Sequence, residues 1–218
     1  MYQVTSDYPP GMVVVVTGEL TRYVQFHQCL NRLRVPAGSD LVWAAGGSVS
    51  RNINRGLTQV LREPTAQWAW MMGDDHTFPP DIVLDLLRHR VDCVVPVCAI
   101  RTPPFETCLL RNGKNVPLRD LPETGLYRLT GDETYGDAGM LLSRKAITAT
   151  GPPWQDGPRS GTWTVEDRIF VEKLRTAGFD VHIALDSVLG HITPCEILPG
   201  RVRPTFRFAK KTYHADAA

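Results

Sequence analysis

Trp68-Ala69-Trp70-Met71-Met72-Gly73-Asp74-Asp75-His76-Thr77-Phe78-Pro79-Pro80 is the stretch on which the fold turns. Its apolar run has the length of one buried strand and stops abruptly at two carboxylates and an imidazole. Two prolines then open a helix pattern over 81–90, where a missing N–H costs nothing in the first turn. Ile82, Val83, Leu86 and Leu87 give that helix an inner face. Continuous apolar strands followed by helices belong to parallel sheets covered on both faces. In open α/β sheets, ligands sit in the crevice outside the carboxyl ends of the strands. The stretch therefore predicts a strand that delivers Asp74, Asp75 and His76 to a ligand-binding edge.

Upstream, Met12-Val13-Val14-Val15-Val16 is a β-branched run that reads as another fully buried strand, ended by Thr17-Gly18-Glu19. A helix pattern over 22–33 closes at Pro36 and Gly38. Leu41-Val42-Trp43-Ala44-Ala45 is a second strand, stopped by Gly46-Gly47. Ile53, Leu57, Val60 and Leu61 mark a helix over 48–61, with Arg51, Asn52 and Arg55 near its start. Downstream, 93–100 is strand-like, although Pro96 predicts an irregular or edge strand. Segments 107–110 and 125–129 are expected to form short antiparallel pieces around the Asn112-Gly113 turn. Asp137-Ala138-Gly139-Met140-Leu141-Leu142-Ser143 is a further strand, and the Gly/Pro-rich stretch 151–161 is a rigid turn or a lid. Thr164 is placed to cap a helix reaching about 177, with Glu166 and Asp167 in its first turn and Gly178 as its stop. Segment 181–185 is the last convincing strand, followed by Gly190-His191.

Strands alternating with helices imply βαβ units, hence an α/β fold with a mostly parallel central sheet flanked by helices. The second half is more mixed, which predicts a smaller acceptor-side sheet. The expected organisation is one domain: a nucleotide-binding half at about 12–100, an acceptor and catalytic half at about 101–195, and a basic tail at 196–218.

Composition excludes several classes. The chain has 218 residues, 43% hydrophobic and 22% charged, enough to bury a real core. A net charge of +1 gives no global attraction to nucleic acid or membrane. No apolar run approaches the roughly 20 residues of a membrane helix, and the N-terminus lacks the order of a signal peptide. Five cysteines without CxxC spacing argue against a disulfide scaffold or zinc ribbon. Cys93, Cys98 and Cys108 read as reduced, buried small hydrophobes. A cytoplasmic protein is the expectation.

Four constellations carry chemistry. On a strand, Asp74 and His76 would share a face, with Asp75 on the other. A carboxylate with an imidazole suits Mn2+ better than an oxygen-only Mg2+ or Ca2+ cage. His191, at another strand end, would complete an Asp/His/His set at Asp74, His76 and His191, with diphosphate oxygens in the remaining positions. Glu166 and Asp167 complement a helix dipole, and that placement also favours the ionised form a general base needs. Arg51 and Asn52, with Arg55, follow a Gly-Gly turn and suit a phosphate or nucleobase, though a solvated helix face is an equal reading. Thr17-Gly18-Glu19 is placed to touch a nucleotide base. It is neither GxGxxG nor a Walker A loop, and no GxSxG or Cys–His motif stands out.

Taken in order, these segments resemble a GT-A glycosyltransferase, in particular the glycosyltransferase family 2-like group, over roughly residues 13–194. The matching segments are Trp70-Met71-Met72-Gly73-Asp74-Asp75-His76, Arg51-Asn52, Asp137-Ala138-Gly139-Met140-Leu141-Leu142, Glu166-Asp167 and Gly190-His191. The resemblance implies a GT-A (Rossmann-like) fold and a metal-dependent sugar transfer from a UDP- or GDP-sugar to an acceptor hydroxyl on a saccharide, protein or modified nucleic acid. It places Thr17, Gly18, Glu19, Arg51, Asn52, Arg55, Asp74, Asp75 and Gly139 around the donor, and Asp167 as the base of an inverting transfer, with Glu166 orienting the acceptor. The family more often has Asp where this chain has His76. The polypeptide N-acetylgalactosaminyltransferases use a DxH variant with a second His on the metal, and Asp74, His76 and His191 look similar to that set. A nucleotidyltransferase is the rival enzyme reading, although a Gly-rich basic loop would then be expected after the first strand. A nucleic-acid-associated protein is the other rival. It would use the tail, where Arg201, Arg203, Arg207, Lys210 and Lys211 alternate with Phe206, Phe208 and Tyr213, and it extends to glycosylation of a hydroxylated DNA base.

Overall fold

The computed structural model describes residues 1–17, 23–136, 139–155, 164–193, 195–198, 205–208 and 211–214, with 164–168 and everything beyond 193 described by backbone alone. The main sheet, eight strands among these residues, has the order Leu126–Arg128, His182–His191, Cys93–Cys98, Met140–Ser143, Trp68–Gly73, Met12–Val16, Asp40–Ala44, and the short His76–Thr77 strand adds to His182–His191. The Met12–Val16 strand pairs in parallel with both Asp40–Ala44 and Trp68–Gly73. Met140–Ser143 runs antiparallel between Trp68–Gly73 and Cys93–Cys98. His182–His191 is again parallel to Cys93–Cys98. Five strands thus point one way, and their carboxyl ends gather on one edge.

Alternation along the strands divides the core into two halves. Val14, Val16, Met71, Val95 and Leu142 face α2 (Val49–Arg62), α4 (Arg144–Thr150) and α5 (Thr164–Thr176). Val13, Val15, Trp70, Met72 and Val94 face α1 (Val24–Arg32) and α3 (Ile82–Arg88). This double burial is why the strands read as unbroken apolar runs.

Several expectations are corrected. Cys93–Cys98 is an interior strand despite Pro96. The cost of its missing N–H is met by an irregularity in its partner, whose register jumps from Ala184 opposite Pro96 to Val188 opposite Val97. Tyr135, fully buried, adds a bridge there, its hydroxyl accepting from Cys98 N–H and donating to Pro96 O. The last long strand is therefore not 181–185 but His182–His191, so Gly190-His191 lies inside it. Leu126–Arg128 joins the edge of the main sheet through Ile183 rather than the Asn112-Gly113 hairpin, which is built from Leu109–Arg111 and Lys114–Asn115. Beyond 194, three antiparallel strands, Cys195–Leu198, Thr205–Phe208 and Lys211–His214, form a sheet of their own. No helix is long and apolar enough to cross a membrane, among the described residues.

Candidate active site

The strand that carries the opening stretch ends at Gly73, and Asp74 and Asp75 turn the chain back into His76–Thr77. That two-residue strand pairs antiparallel with the end of His182–His191, placing His76 opposite His191 and Thr77 opposite Gly190. Directly opposed residues share a face, and the two imidazoles stack at 4.6 Å between centroids and 21° between planes. Gly190 permits the approach, because a Cβ there would stand 2.2 Å from Thr77 Oγ1.

Each ring is oriented by a backbone carbonyl. His191 Nδ1 lies 2.9 Å from Ala99 O, and His76 Nδ1 lies 3.2 Å from Gly73 O. A carbonyl only accepts, so both Nδ1 atoms carry hydrogen and both Nε2 atoms are left for other partners. His191 Nε2 is 3.3 Å from Asp75 Oδ2. His76 Nε2 is buried with no hydrogen-bond partner. The donor atoms of His76, Cys98 and His191 all lie within 4.8 Å of one another. Because the turn breaks strand alternation, it is Asp75 that reaches the imidazoles. Its Oδ1 is 3.2 Å from His76 Nδ1, and its Oδ2 accepts from Arg101 Nη1 at 3.0 Å. Asp74 is half-buried in the same turn.

The charges are strongly coupled. Burial opposes ionisation of Asp75, but the hydrogen bond from His191 and the charges of His76, His191 and Arg101 outweigh it and hold the carboxyl at about 2. Burial pushes His76 down, against the pull of Asp75, to about 4, so it is a neutral imidazole. Burial also opposes protonation of His191, yet hydrogen bonds to Asp75 and Cys108 and the charge of Asp75 raise it to about 9. The edge thus holds a carboxylate, a neutral imidazole and an imidazolium. A buried imidazole nitrogen without a partner costs free energy unless a ligand takes it. Once His191 gives up the Nε2 proton it shares with Asp75, two imidazole nitrogens, a thiol and a carboxylate fit a divalent cation of borderline to soft character.

Among the other sequence-predicted residues, Thr17, Arg51, Asn52, Arg55 and Gly139 are described with their side chains or backbone contacts. Thr17 is buried at the end of Met12–Val16, and its carbonyl accepts from Asn52 Nδ2 at 2.8 Å. Asn52 is fully buried and also donates to Gly47 O at 3.1 Å, so it ties α2 to the sheet rather than presenting itself outward. Arg51 and Arg55 are exposed, and Arg55 donates to Ala45 O. Gly139, at φ +69°, takes the Trp70 Nε1 hydrogen bond on its carbonyl at 2.8 Å, and a Cβ there would meet Pro96 Cγ at 2.9 Å. Glu166 and Asp167 lie in the first turn of α5, and their side chains are outside the described residues, as are Gly18, Glu19 and the 156–163 part of the loop. The start of that loop is anchored: Asn54 Oδ1 accepts from Trp154 N at 2.8 Å and Gln155 N at 3.1 Å. Nothing in the sequence singled out Cys98 or Arg101. Their signal was position, since both follow a strand into the predicted edge.

No protein-family model and no curated protein matches the chain. Solved structures do. "A197 from STIV" superposes with a TM-score of 0.57 at 10% identity, over 95% of each chain. GalNAc-T7, described with UDP, GalNAc and Mn2+, superposes with a TM-score of 0.56 at 11% identity, over 86% of this chain and 44% of that one. An inositol-1-phosphate CTP transferase from T. maritima superposes more loosely, at 0.43. The fold is GT-A-like: a multistranded α/β sheet flanked by helices.

Proposed function

We propose that this chain is a nucleotide-dependent transferase that moves a glycosyl group from a UDP- or GDP-sugar to an acceptor hydroxyl. The observation that carries the proposal is the His76–His191 pair with its unpartnered Nε2, set at the carboxyl edge of a GT-A-like sheet. The UDP, GalNAc and Mn2+ of the GalNAc-T7 structure support the same donor class. In this proposal His76 and His191 hold a divalent cation, with Asp74 or Asp75 on the cation or the ribose. When bound, the cation offsets charge on the departing diphosphate. Imidazole ligands favour a borderline cation, Mn2+ or Zn2+, over Mg2+ there. Thr17, Gly18, Glu19, Arg51 and Arg55 surround the nucleotide, and Asn52 fixes the Thr17 carbonyl from behind. Gly139 brings the backbone close beside the donor sugar. Asp167 takes the acceptor proton, which makes the transfer inverting, and Glu166 orients the acceptor.

Calorimetry with UDP- and GDP-sugars, in Mn2+, in Zn2+ and in EDTA, tests the proposal. One donor should bind in a cation-dependent way, and His76→Ala should weaken it at least about tenfold. Equal binding in EDTA would sink the metal-assisted reading. Binding of a nucleoside triphosphate in place of any nucleotide sugar would replace glycosyl transfer by nucleotidyl transfer.

A further inference from the structure

We infer that the cation seat is a nitrogen–sulfur site in which Cys98 Sγ is a direct ligand beside the Nε2 atoms of His76 and His191, and that it takes a zinc-class ion. The inference uses the same cluster as the proposed transferase, but not its nucleotide chemistry.

Three observations converge. One ring nitrogen of each histidine and Cys98 Sγ lie within 4.8 Å of one another before any ion draws them together. A tetrahedral zinc with Zn–N of about 2.0–2.1 Å and Zn–S of about 2.3 Å needs roughly 3.4–3.6 Å between ligand atoms. The cluster is therefore at most about 1.4 Å too open for that geometry, a shift within reach of side-chain rotation. Both imidazoles have their Nδ1 hydrogens on backbone carbonyls, Gly73 O and Ala99 O. That is the outer-sphere arrangement that leaves Nε2 for a metal, and at His191 the ion would displace the proton now shared with Asp75 Oδ2. Finally, His76 Nε2 is buried and unpartnered, a state that a purely structural imidazole pair would have no reason to keep.

The four described cysteines are not equivalent. Cys93 is equally buried in the same strand but shares no such group of donors. Cys98 stands five residues on, at the carboxyl end, 1% exposed. Manganese and magnesium favour oxygen ligands, whereas thiolate selects zinc and its chemical kin. Three protein ligands leave a fourth position, the pattern of a zinc that also meets a ligand rather than one that is only structural. Asp75 Oδ2, held by Arg101 next to His191, borders that position.

The test uses the full chain, reduced and stripped with a chelator, titrated with Co2+ in the absence of any nucleotide. The expected result is a near-ultraviolet thiolate-to-cobalt charge-transfer band, with the intense visible bands of tetrahedral cobalt, both erased by added Zn2+. Cys98→Ala should lose the charge-transfer band and at least about 100-fold in cobalt affinity. Cys29→Ala, Cys93→Ala and Cys195→Ala should retain both. A weak octahedral spectrum without a thiolate band in the unmodified protein would overturn the inference, with no variant needed. A band that survives in Cys98→Ala, or disappears in Cys108→Ala instead, would overturn the assignment of Cys98. A thiolate band in a protein that binds no nucleotide sugar would uphold the site and remove the transferase reading.

Discussion

One carboxylate at Asp75 answers three cationic or cation-capable side chains. It meets His76 Nδ1 at 3.2 Å, His191 Nε2 at 3.3 Å and Arg101 Nη1 at 3.0 Å. Removing it leaves the His191 imidazolium and Arg101 facing each other without a counter-charge. Asp75→Ala should therefore lower stability by about 1.5–3 kcal/mol, the range for hydrogen bonds to charged groups, read by urea unfolding in EDTA. A loss below about 0.5 kcal/mol would place the cluster with exposed surface ion pairs. At this scale the sequence marked Asp74-Asp75-His76 as one unit but did not say which carboxylate does what. Period-2 alternation predicted that Asp74 would side with His76. The strand ends at Gly73, alternation lapses in the turn, and Asp75 takes the place instead. Cys98 passed as an inert hydrophobe because neither its burial nor its spacing distinguishes it from Cys93. Only the strand carrying His191 brings an imidazole to it.

Helix α2 shows how an element is fixed from both ends and along its length. Ser48 caps its start by accepting the Arg51 N–H, and the Arg144 guanidinium takes carbonyls from Val60, Leu61 and Glu63 at its end. Along its length Gly56 lies over the sheet, where a Cβ would come within 2.2 Å of Val14 Cγ1. Two effects compete in Gly56→Ala. Alanine gains about 1 kcal/mol in helix propensity, whereas overpacking a filled core costs about 1–3 kcal/mol. The clash with the β-branched, fully buried Val14 should win, so the variant should unfold at lower urea than the parent; a rise in the midpoint would show that the helix can slide. The apolar stripe placed α2 at 48–61, close to the observed Val49–Arg62. Its caps were less legible, because Arg144 lies more than eighty positions from the carbonyls it satisfies. Pro96 misled for the opposite reason. The local rule against proline in a central strand is sound, but its partner strand absorbs the missing donor in a bulge that no local window contains.

At the scale of the molecule, an ion pair with a buried carboxylate and a half-exposed arginine holds the small hairpin against the edge of the main sheet. Glu133, 3% exposed, takes Arg111 Nε at 2.7 Å and, on the same Oε1, the Tyr127 hydroxyl at 2.8 Å. Thr130 N–H donates to its other oxygen at 2.8 Å. Burial opposes its ionisation, but these hydrogen bonds and the Arg111 charge outweigh it and hold the carboxyl below its ordinary value. A carboxyl lowered in the folded state adds stability above its unfolded pKa and loses it as pH falls through the folded value. The Tm gap between the parent and Glu133→Gln should be full above about pH 5 and close as pH drops below about 4. A gap that stays constant across that range would assign the effect to packing.

The sequence by itself determined the class of sheet and the identity of its working edge. Doubly buried strands must be apolar at every position, and strand ends where apolarity stops in carboxylates and imidazoles are readable without coordinates. It also determined that His76 and His191 belong to that edge. Tertiary structure alone decided that the two rings stack across an antiparallel pair, that Asp75 reaches both of them, and that Cys98 lies beside them. Those facts depend on register between segments some ninety or more residues apart. Register is set by the bulge opposite Pro96 and by the absence of a Cβ at Gly190, neither of which has a local signature.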